Sequence, residues 1–384
     1  MRFIAAMAVL MCGTATSFAD PIRAKNTLAE VADTLAGDIQ TYLKDKNETA
    51  ITLGEFVYKG RGQASGGPQV RTALADAFKA KGIDLKLRSN VLISGEYVEN
   101  EEEGGARRQV VTITTEIKRF KPEEKLTLPL AITNPQAVAV LLGLNVTFPP
   151  DATPKERGNQ ARKAADNPDF GLTGAVVQNK QDARFGVEIL VGPPIAVKKN
   201  PDGSRALEDY LPRAPDNKEG YAFVPIKREE VYGVILSNEA DFEAAVQLRI
   251  DGLSMFSFSS NEFRNPKTGK PKYNYIILGP KSRVFIRGWH VTNEVSDEFK
   301  ITEYAKSAAA ELKSSAPTGT ITATFHAAWD AKTGRPPADE PPNPDEHSLS
   351  ADATGKGARF QEKYQEVERK IGVARSVISV RYTK

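Results

Sequence analysis

Residues 246–256 read VQLRIDGLSMF, and this stretch decides how the second half of the chain folds. Two apolar runs flank Asp251-Gly252, and an Asp-Gly pair in that position typically forms the two-residue turn between antiparallel strands. Short apolar runs of the same kind recur from 221 to 329 and are separated by turn residues. Strands at a spacing of ~8–12 residues predict an antiparallel, jelly-roll-like β-sandwich over 221–384.

Three segments of this half depart from the strand pattern. A helix is predicted at about 303–313, and a Pro-rich insertion at 331–345 is expected to run as an extended, polyproline-like segment. Residues 360–371 fit either a helix or a strand, because their apolar residues satisfy both spacings. A last strand is predicted at about 377–380, where apolar residues recur beside two arginines.

The first half of the chain shows helical periodicity. An apolar stripe predicts an amphipathic helix over 24–44; its members are Leu28, Val31, Leu35, Ile39 and Leu43. A strand over 51–58, a second helix from Pro68 to Gly82 and three further strands follow. The order α-β-α-β-β-β predicts a small α/β domain at 20–120, so we expect the whole chain to be α+β.

The remaining segments of this half give weaker signals. Residues 121–220 are predicted to form an irregular connecting region, because Pro, Lys, Arg and Asp interrupt their apolar runs. The glycine-rich loop at 60–67 is predicted to be a flexible connection, because it lacks the Gly-Lys-Ser/Thr ending of a phosphate loop. The acidic run at 99–103 lacks the spacing of a calcium loop and is predicted to be the solvated tip of a hairpin.

The first nineteen residues have the three parts of a secretory signal peptide. Arg2 supplies a positive charge, residues 3–13 are apolar, and small residues precede a cleavage site after Ala19. The alternative is cleavage before Cys12 and lipidation of that residue. We expect an exported protein, periplasmic or extracellular, without thiol chemistry, because Cys12 is the only cysteine. We predict that it is not integral to a membrane, because no later segment approaches the ~20 apolar residues of a membrane span.

Charge and histidine placement exclude several classes of function. The chain carries 52 Lys+Arg and 49 Asp+Glu, a formal net charge of +3. A nucleic-acid-binding protein typically gathers a basic excess on one face, so we predict no nucleic-acid partner. His290, His326 and His347 stand in no metal-binding motif and are predicted to be ordinary surface or edge-strand residues. We therefore predict no cofactor, no metal site and no catalytic residue.

The candidate ligand contacts are Trp289, Arg287 and Trp329, which lie in the predicted sandwich. Aromatic faces stack on ligands, but they equally fill hydrophobic cores. The preferred hypothesis is a non-enzymatic envelope protein that acts as an interaction or assembly module for an envelope protein or a cell-wall polymer. The alternatives are a carbohydrate- or peptidoglycan-binding β-sandwich protein and a hydrolase that uses two carboxylates.

The first half resembles the small α/β domain of exported bacterial assembly factors. The resemblance follows an opening helix, ITLGEF at 51–56, a helix at 70–82 and VLISGEYV at 91–98. These factors include the curli-secretion lipoprotein, the penicillin-binding-protein activator lipoprotein and a flagellar outer-membrane accessory protein. The resemblance implies a scaffolding role, although the cysteine that carries the lipid in such lipoproteins is missing here.

The second half resembles an uncharacterised bacterial β-sandwich module. The matching segments are VQLRIDGL at 246–253, YIILGP at 275–280, IRGW at 286–289 and a closing strand that ends with VRY at 380–382. The resemblance implies a sandwich fold and assigns no catalytic residue.

Overall fold

The computed structural model describes most of the chain. The described residues are 23–61, 64–102, 108–200, 204–266, 268–301, 318–330, 332, 334–341, 359–361 and 363–383. The predicted leader with Cys12, the predicted helix at 303–313, and His347 lie outside these residues.

Residues 23–132, here called the first half, form one six-stranded sheet with two helices. Its elements are β1 (Arg23–Lys25), α1 (Leu28–Asp45), β2 (Ala50–Tyr58), α2 (Gly67–Ala80), β3 (Asp84–Leu85), β4 (Val91–Glu102), β5 (Arg108–Phe120) and β6 (Glu123–Ile132). The strand order is β1-β6-β5-β4-β2-β3. The strands β4, β5 and β6 pair antiparallel, whereas β2 is parallel to both β3 and β4, and β1 is parallel to β6.

Both helices form where the apolar periodicity predicts them. α1 begins with a capping box, in which the Thr27 hydroxyl accepts the Glu30 N–H and the Glu30 carboxylate accepts the Thr27 N–H. The members of its predicted apolar stripe are buried in a core that they share with the sheet. α2 has Pro68 in its first turn and is followed by Gly82 at φ 71°, in the left-handed region that ends helices.

Residues 121–220, predicted to be irregular, consist largely of regular elements. Besides β6, they form α3 (Pro135–Leu142), β7 (Val146–Thr147), α4 (Pro154–Asp166), β8 (Gly171–Thr173), β9 (Val176–Asn179), β10 (Asp182–Gly192), a 3-10 turn (Leu207–Asp209), β11 (Leu211–Pro212) and β12 (Asp216–Lys218). The prediction failed at α4 because this helix has no apolar stripe and buries only Gly158 and Ala161. A capping box between Thr153 and Glu156 starts it instead.

Residues 221–384, here called the second half, contribute strands to two further sheets, which also include β7 to β12. Its elements are β13 (Tyr221–Val224), β14 (Val231–Asn238), β15 (Glu243–Ile250), β16 (Leu253–Ser254), β17 (Ile276–Leu278), β18 (Ser282–Ile286), β19 (Gly288–Thr292), β20 (Val295–Lys300), β21 (Thr318–Asp330), β22 (Arg359–Gln361), β23 (Arg369–Thr383) and a 3-10 turn (Asn261–Phe263). A nine-stranded sheet has the order β19-β20-β14-β10-β9-β8 and adds β11, β18 and β22 at its sides. An eight-stranded sheet has the order β12-β13-β23-β21-β15-β16 and adds β7 and β17.

The hairpin predicted at Asp251-Gly252 is confirmed. Ile250 pairs with Leu253 across the turn. Asp251 and Gly252 have φ values of 51° and 79°, and positive φ at both central residues is what a type I′ turn requires. Of residues 360–371, for which helix and strand were both open, 360–361 end β22, 363–368 have no regular secondary structure and 369–371 begin β23.

Side chains from the two sheets of the second half belong to one hydrophobic cluster. Phe185 on β10 stacks on Phe325 on β21, with ring centroids 4.9 Å apart. Because four helices and three sheets make up the described residues, with strands in the majority, the predicted α+β class is confirmed. The core of the first half also includes Ala374 and Val377 of β23, so the two halves are packed together.

The acidic run at 99–103 does not lie wholly in a hairpin tip. β4 extends to Glu102, so Glu99 is a strand residue. Its carboxylate accepts the backbone N–H of Arg61 at 2.7 Å and the hydroxyl hydrogen of Tyr58. The strong charge of the run predicts a solvated tip, but its first residue has partners at the end of β2 and in the residues that follow β2.

Part of the predicted Pro-rich insertion packs on the last strand through charged side chains. Arg375 on β23 is 1% exposed, and its Nη1 lies 2.9 Å from Oδ2 of Asp339. Its Nη2 pairs with the buried carboxylate of Glu340, which also accepts the Val373 N–H at 2.7 Å. Residues 334–341 therefore supply the negative charge that a buried guanidinium needs.

We expect Glu340→Gln to destabilise the fold by about 3 kcal/mol, because it leaves the buried Arg375 charge with only one anionic partner. Asp339→Asn is the matched control, since the Asp339 side chain is 46% exposed and its pair with Arg375 contributes less than ~1 kcal/mol. Urea unfolding measures both free energies. Equal losses in the two variants would contradict this assignment.

His326 lies on β21 where α3 meets the eight-stranded sheet, and it is buried, so its prediction as a surface or edge residue is wrong. Its Nδ1 lies 3.1 Å from the Gly372 carbonyl oxygen, and its Nε2 lies 3.4 Å from Nε2 of Gln136. The neutral ring therefore donates from Nδ1 and accepts at Nε2. Burial lowers the pKa of His326 to about 4, and the Arg157 and Arg375 charges add to the effect.

This lowered pKa predicts a pH-dependent stability. Between pH 6.5 and about 4 the unfolded chain binds a proton at His326 that the folded chain does not, so stability is lost as the pH falls through this window. The loss from this group is about 3 kcal/mol. Urea unfolding near neutral pH and near pH 4 should show a smaller loss for His326→Gln than for the unmodified chain. The same loss in both proteins would show that His326 does not carry the effect.

Candidate interaction surface

The three candidate residues from the sequence do not form a common exposed site. Trp289 on β19 is 5% exposed and packs edge-on against Phe258 and Phe299, with ring centroids 4.8 and 5.0 Å away. Trp329 is half-buried on β21, which belongs to the other sheet. Arg287 is half-buried between β18 and β19, and its Nη1 donates to the Arg205 carbonyl oxygen at 3.4 Å.

The connection between β10 and β12 presents large aliphatic side chains to solvent. Their exposed fractions are 81% for Ile195, 79% for Val197, 56% for Leu207 and 66% for Leu211. We call these four residues the apolar surface. Single exposed apolar residues are ordinary, but four in one connection point to a contact surface.

The carboxylate of Asp209 ties the two parts of this connection together. It is buried and accepts the backbone N–H of Val197 at 2.8 Å and that of Lys198 at 3.1 Å. The Lys198 carbonyl oxygen in turn accepts the Ala206 N–H at 3.0 Å. Because Asp209 lies between Leu207 and Leu211 in the sequence, these bonds hold the backbone of Val197 beside the segment 207–211.

A buried ionic cluster anchors the connection to the nine-stranded sheet. Arg205 is 7% exposed; its Nη1 lies 3.4 Å from Asp209 Oδ2, and its Nε lies 3.3 Å from Oε1 of Glu298 on β20. Tyr210 donates its hydroxyl hydrogen to the same Glu298 oxygen at 3.0 Å. Burial, reinforced by the Glu298 charge, raises the pKa of Tyr210 well above its usual value, so this hydroxyl stays a donor.

The energetics of this cluster favour a positional role. Burial of Arg205, Asp209 and Glu298 costs several kcal/mol of desolvation free energy per ion. The attraction between the opposite charges is only large enough to balance that cost. The net gain in stability is therefore small, and the main effect of the cluster is to fix the backbone of the connection. A connection held in one conformation loses little conformational entropy when a partner covers it.

Sequence reasoning missed this surface because Pro193-Pro194 and the polar residues up to Lys218 are typical of a loop. The available signal was the short apolar run Ile195-Ala196-Val197, which stands between two prolines and two lysines. Arg287 is the one predicted contact that touches this region, through the Arg205 carbonyl oxygen.

Side chains that could bind a metal ion are dispersed in the described part of the chain. No group of three or more His, Cys, Asp or Glu side chains there is arranged to hold a metal ion. His290 is fully buried, with Nδ1 2.9 Å from Ser259 Oγ and Nε2 3.2 Å from Asn293 Oδ1, so it is an edge-strand residue but not a surface one. Burial lowers the pKa of His290.

Comparisons with protein-family models, curated proteins and solved structures found no match for this chain. The two resemblances noted in the sequence therefore stay predictions. Among the described residues, no helix has the length and apolar character needed to cross a membrane.

We expect Asp209→Ala to release the connection locally without unfolding the protein. The substitution removes a charged acceptor from the amides of Val197 and Lys198, and each such bond contributes about 1.5–3 kcal/mol. Hydrogen exchange at these two amides should accelerate by at least about tenfold. The control is Glu208→Ala, because Glu208 is exposed and next in sequence. Unchanged exchange at both amides in Asp209→Ala would refute the anchoring role.

Proposed function

We propose that this chain is a non-enzymatic exported protein that acts as an interaction or assembly module in the cell envelope. The observation that carries the proposal is the apolar surface, four aliphatic side chains held out by a buried ionic cluster. Export is supported by the signal-peptide pattern of residues 1–19. The scaffolding role is supported by the resemblance of residues 20–120 to exported assembly factors.

The chemistry of the apolar surface favours a protein as the partner. Sugar rings of a cell-wall polymer stack on exposed aromatic faces. The surface presents Ile, Val and Leu, whereas Trp289 is in the core. Aliphatic side chains gain most by entering an apolar groove of another protein, where burial of each contributes about 1.5–3 kcal/mol.

We further propose that the two sheets of the second half form a β-sandwich. Their shared hydrophobic cluster supports this, since inner faces of packed sheets interdigitate. One sheet of this sandwich would include β8 to β11, which come from residues 121–220. The apolar surface would then lie beside β11, at the side of that sheet.

The function is tested by binding of the partner that chemical crosslinking in the native envelope identifies. The double substitution Ile195→Ser and Val197→Ser should weaken that binding by about 100-fold, at about 1.5 kcal/mol per side chain. The protein's own unfolding free energy should change by less than about 0.5 kcal/mol per site, because both side chains are exposed. Leu87→Ser is the matched control, since Leu87 is 93% exposed in the first half.

Two outcomes would overturn the proposal. One is unchanged partner affinity in the double variant. The other is retention of the chain on purified cell wall that is independent of Ile195 and Val197, which would assign the function to polymer binding elsewhere on the protein.

A further inference from the structure

The first part of β23 forms a socket for a carboxylate, in the eight-stranded sheet and therefore not in the sheet that borders the apolar surface. The side chain of Glu340, which is 1% exposed, fills this socket. Gly372 makes room for it, because a Cβ at that position would lie 2.3 Å from Oε1 of Glu340. The Val373 N–H donates to the same oxygen at 2.7 Å, so a carboxylate and not a neighbouring strand satisfies this amide.

Two arginines give the socket its positive charge. Arg375 places Nη1 and Nη2 2.9 and 3.1 Å from the two carboxylate oxygens of Asp339 and also pairs with Glu340. Arg157 on α4 donates to the Ala374 carbonyl oxygen at 3.2 Å. Burial lowers the pKa of Arg157, the Arg375 charge lowers it further and the Glu340 charge opposes both, so all three charges interact. Two adjacent negative charges therefore match what the socket offers.

Residues 334–341 are held on β23 through their two carboxylates. A turn in which the Glu340 N–H donates to the Pro337 carbonyl oxygen at 2.9 Å includes Asp339 and Glu340. No residue of 334–341 belongs to a hydrophobic cluster, and five of the eight are exposed. Within the described part of the chain, every hydrogen bond from these residues to β23 passes through Asp339 or Glu340. The segment is thus attached by charge and not by apolar burial.

A contact of this kind can be exchanged for a similar one. The same bonds are open to any segment that presents two carboxylates at the same spacing. In the described part of the chain the buried Nε of Arg375 has no hydrogen-bond partner, so residues 334–341 do not use every donor of this guanidinium. Their advantage over a separate segment is the high effective concentration that the covalent connection provides.

We propose that this socket binds an acidic segment of a partner protein, with two adjacent carboxylates in a Pro-flanked turn, and that Asp339 and Glu340 of this chain occupy it as an intramolecular competitor. The protein alone then keeps the socket filled, and a partner displaces residues 334–341 when it binds. The socket is distinct from the apolar surface, so this inference does not depend on the function proposed for that surface.

Isothermal titration of the full chain with a peptide tests the proposal. The probe is the acetylated and amidated peptide GRPPADEPP, which copies residues 334–342. In a variant with Asp339→Ala and Glu340→Ala, which empties the socket, the peptide should bind saturably and raise the Tm. The unaltered chain should bind the peptide at least about tenfold more weakly, because its own segment competes. The same peptide carrying Glu340→Gln should bind neither protein.

Gly372→Ala in the double variant is the matched control. Its Cβ takes the place of the carboxylate, and the φ of Gly372 lies outside the left-handed region, so the backbone accepts alanine. This triple variant should be as stable in urea unfolding as the double variant, yet it should not bind the peptide. Both arginines remain in it, so the loss of binding cannot come from a change of charge. Equal peptide binding in the two variants would contradict the assignment of the socket.

Three further results would overturn the proposal. They are the absence of peptide binding to a folded double variant, equal peptide affinity in this variant and the unaltered chain, and dimers of the unaltered chain that excess peptide dissociates. The last result would assign the socket to a second copy of this chain. Glu340→Ala alone, which keeps one carboxylate on Arg375, should show the same order of affinities to a smaller extent and replaces the double variant if that variant does not fold.

Discussion

Burial of both faces of β23 is the constraint on which the rest of the structure depends. Successive side chains of a strand point to opposite faces, and here both faces are covered. Ile378, Val380 and Tyr382 enter the hydrophobic cluster of the second half, whereas Ala374 and Val377 enter that of the first half. The strand pairs with β21, β13 and β7, so segments far apart in sequence depend on it.

The face of the eight-stranded sheet that meets the first half is polar and nevertheless buried. Its buried polar residues are Gln247, Arg249, Thr320, Thr322, Thr324, His326, Ser379 and Arg381. Hydrogen bonds cross this boundary: the Ser379 N–H donates to Asn145 Oδ1 at 2.7 Å, and the Ser379 hydroxyl donates to the Leu144 carbonyl oxygen at 3.3 Å. A polar boundary of this kind resembles an interface between domains more than a continuous core.

The sequence predicted those elements whose local signals agree with their environment. α1 and α2 have apolar stripes and end signals, and the hairpin at Asp251-Gly252 has its turn residues, so propensity and packing point the same way. The sequence did not predict α4, because this helix buries almost nothing apolar. It also did not predict β8 to β11, because the short strands β8, β9 and β11 are ordered by their pairing with neighbouring strands. The candidate site was missed for a related reason. The spacing of apolar residues in the sequence indicates which residues can be buried. It does not indicate which aliphatic side chains a fixed connection leaves exposed, or that Trp289 lies in the core.

The position of β23 after every other described element has a consequence for the order of folding. During synthesis from the amino terminus, both hydrophobic clusters stay incomplete until residues 369–383 have been made, because both include side chains of this strand. Pairings such as Val146 with Val377 join residues more than two hundred positions apart and carry a high loop-closure entropy, which slows folding. Both cores of a nascent chain therefore stay incomplete until β23 has left the ribosome, and the apolar surfaces that β23 covers stay exposed until then.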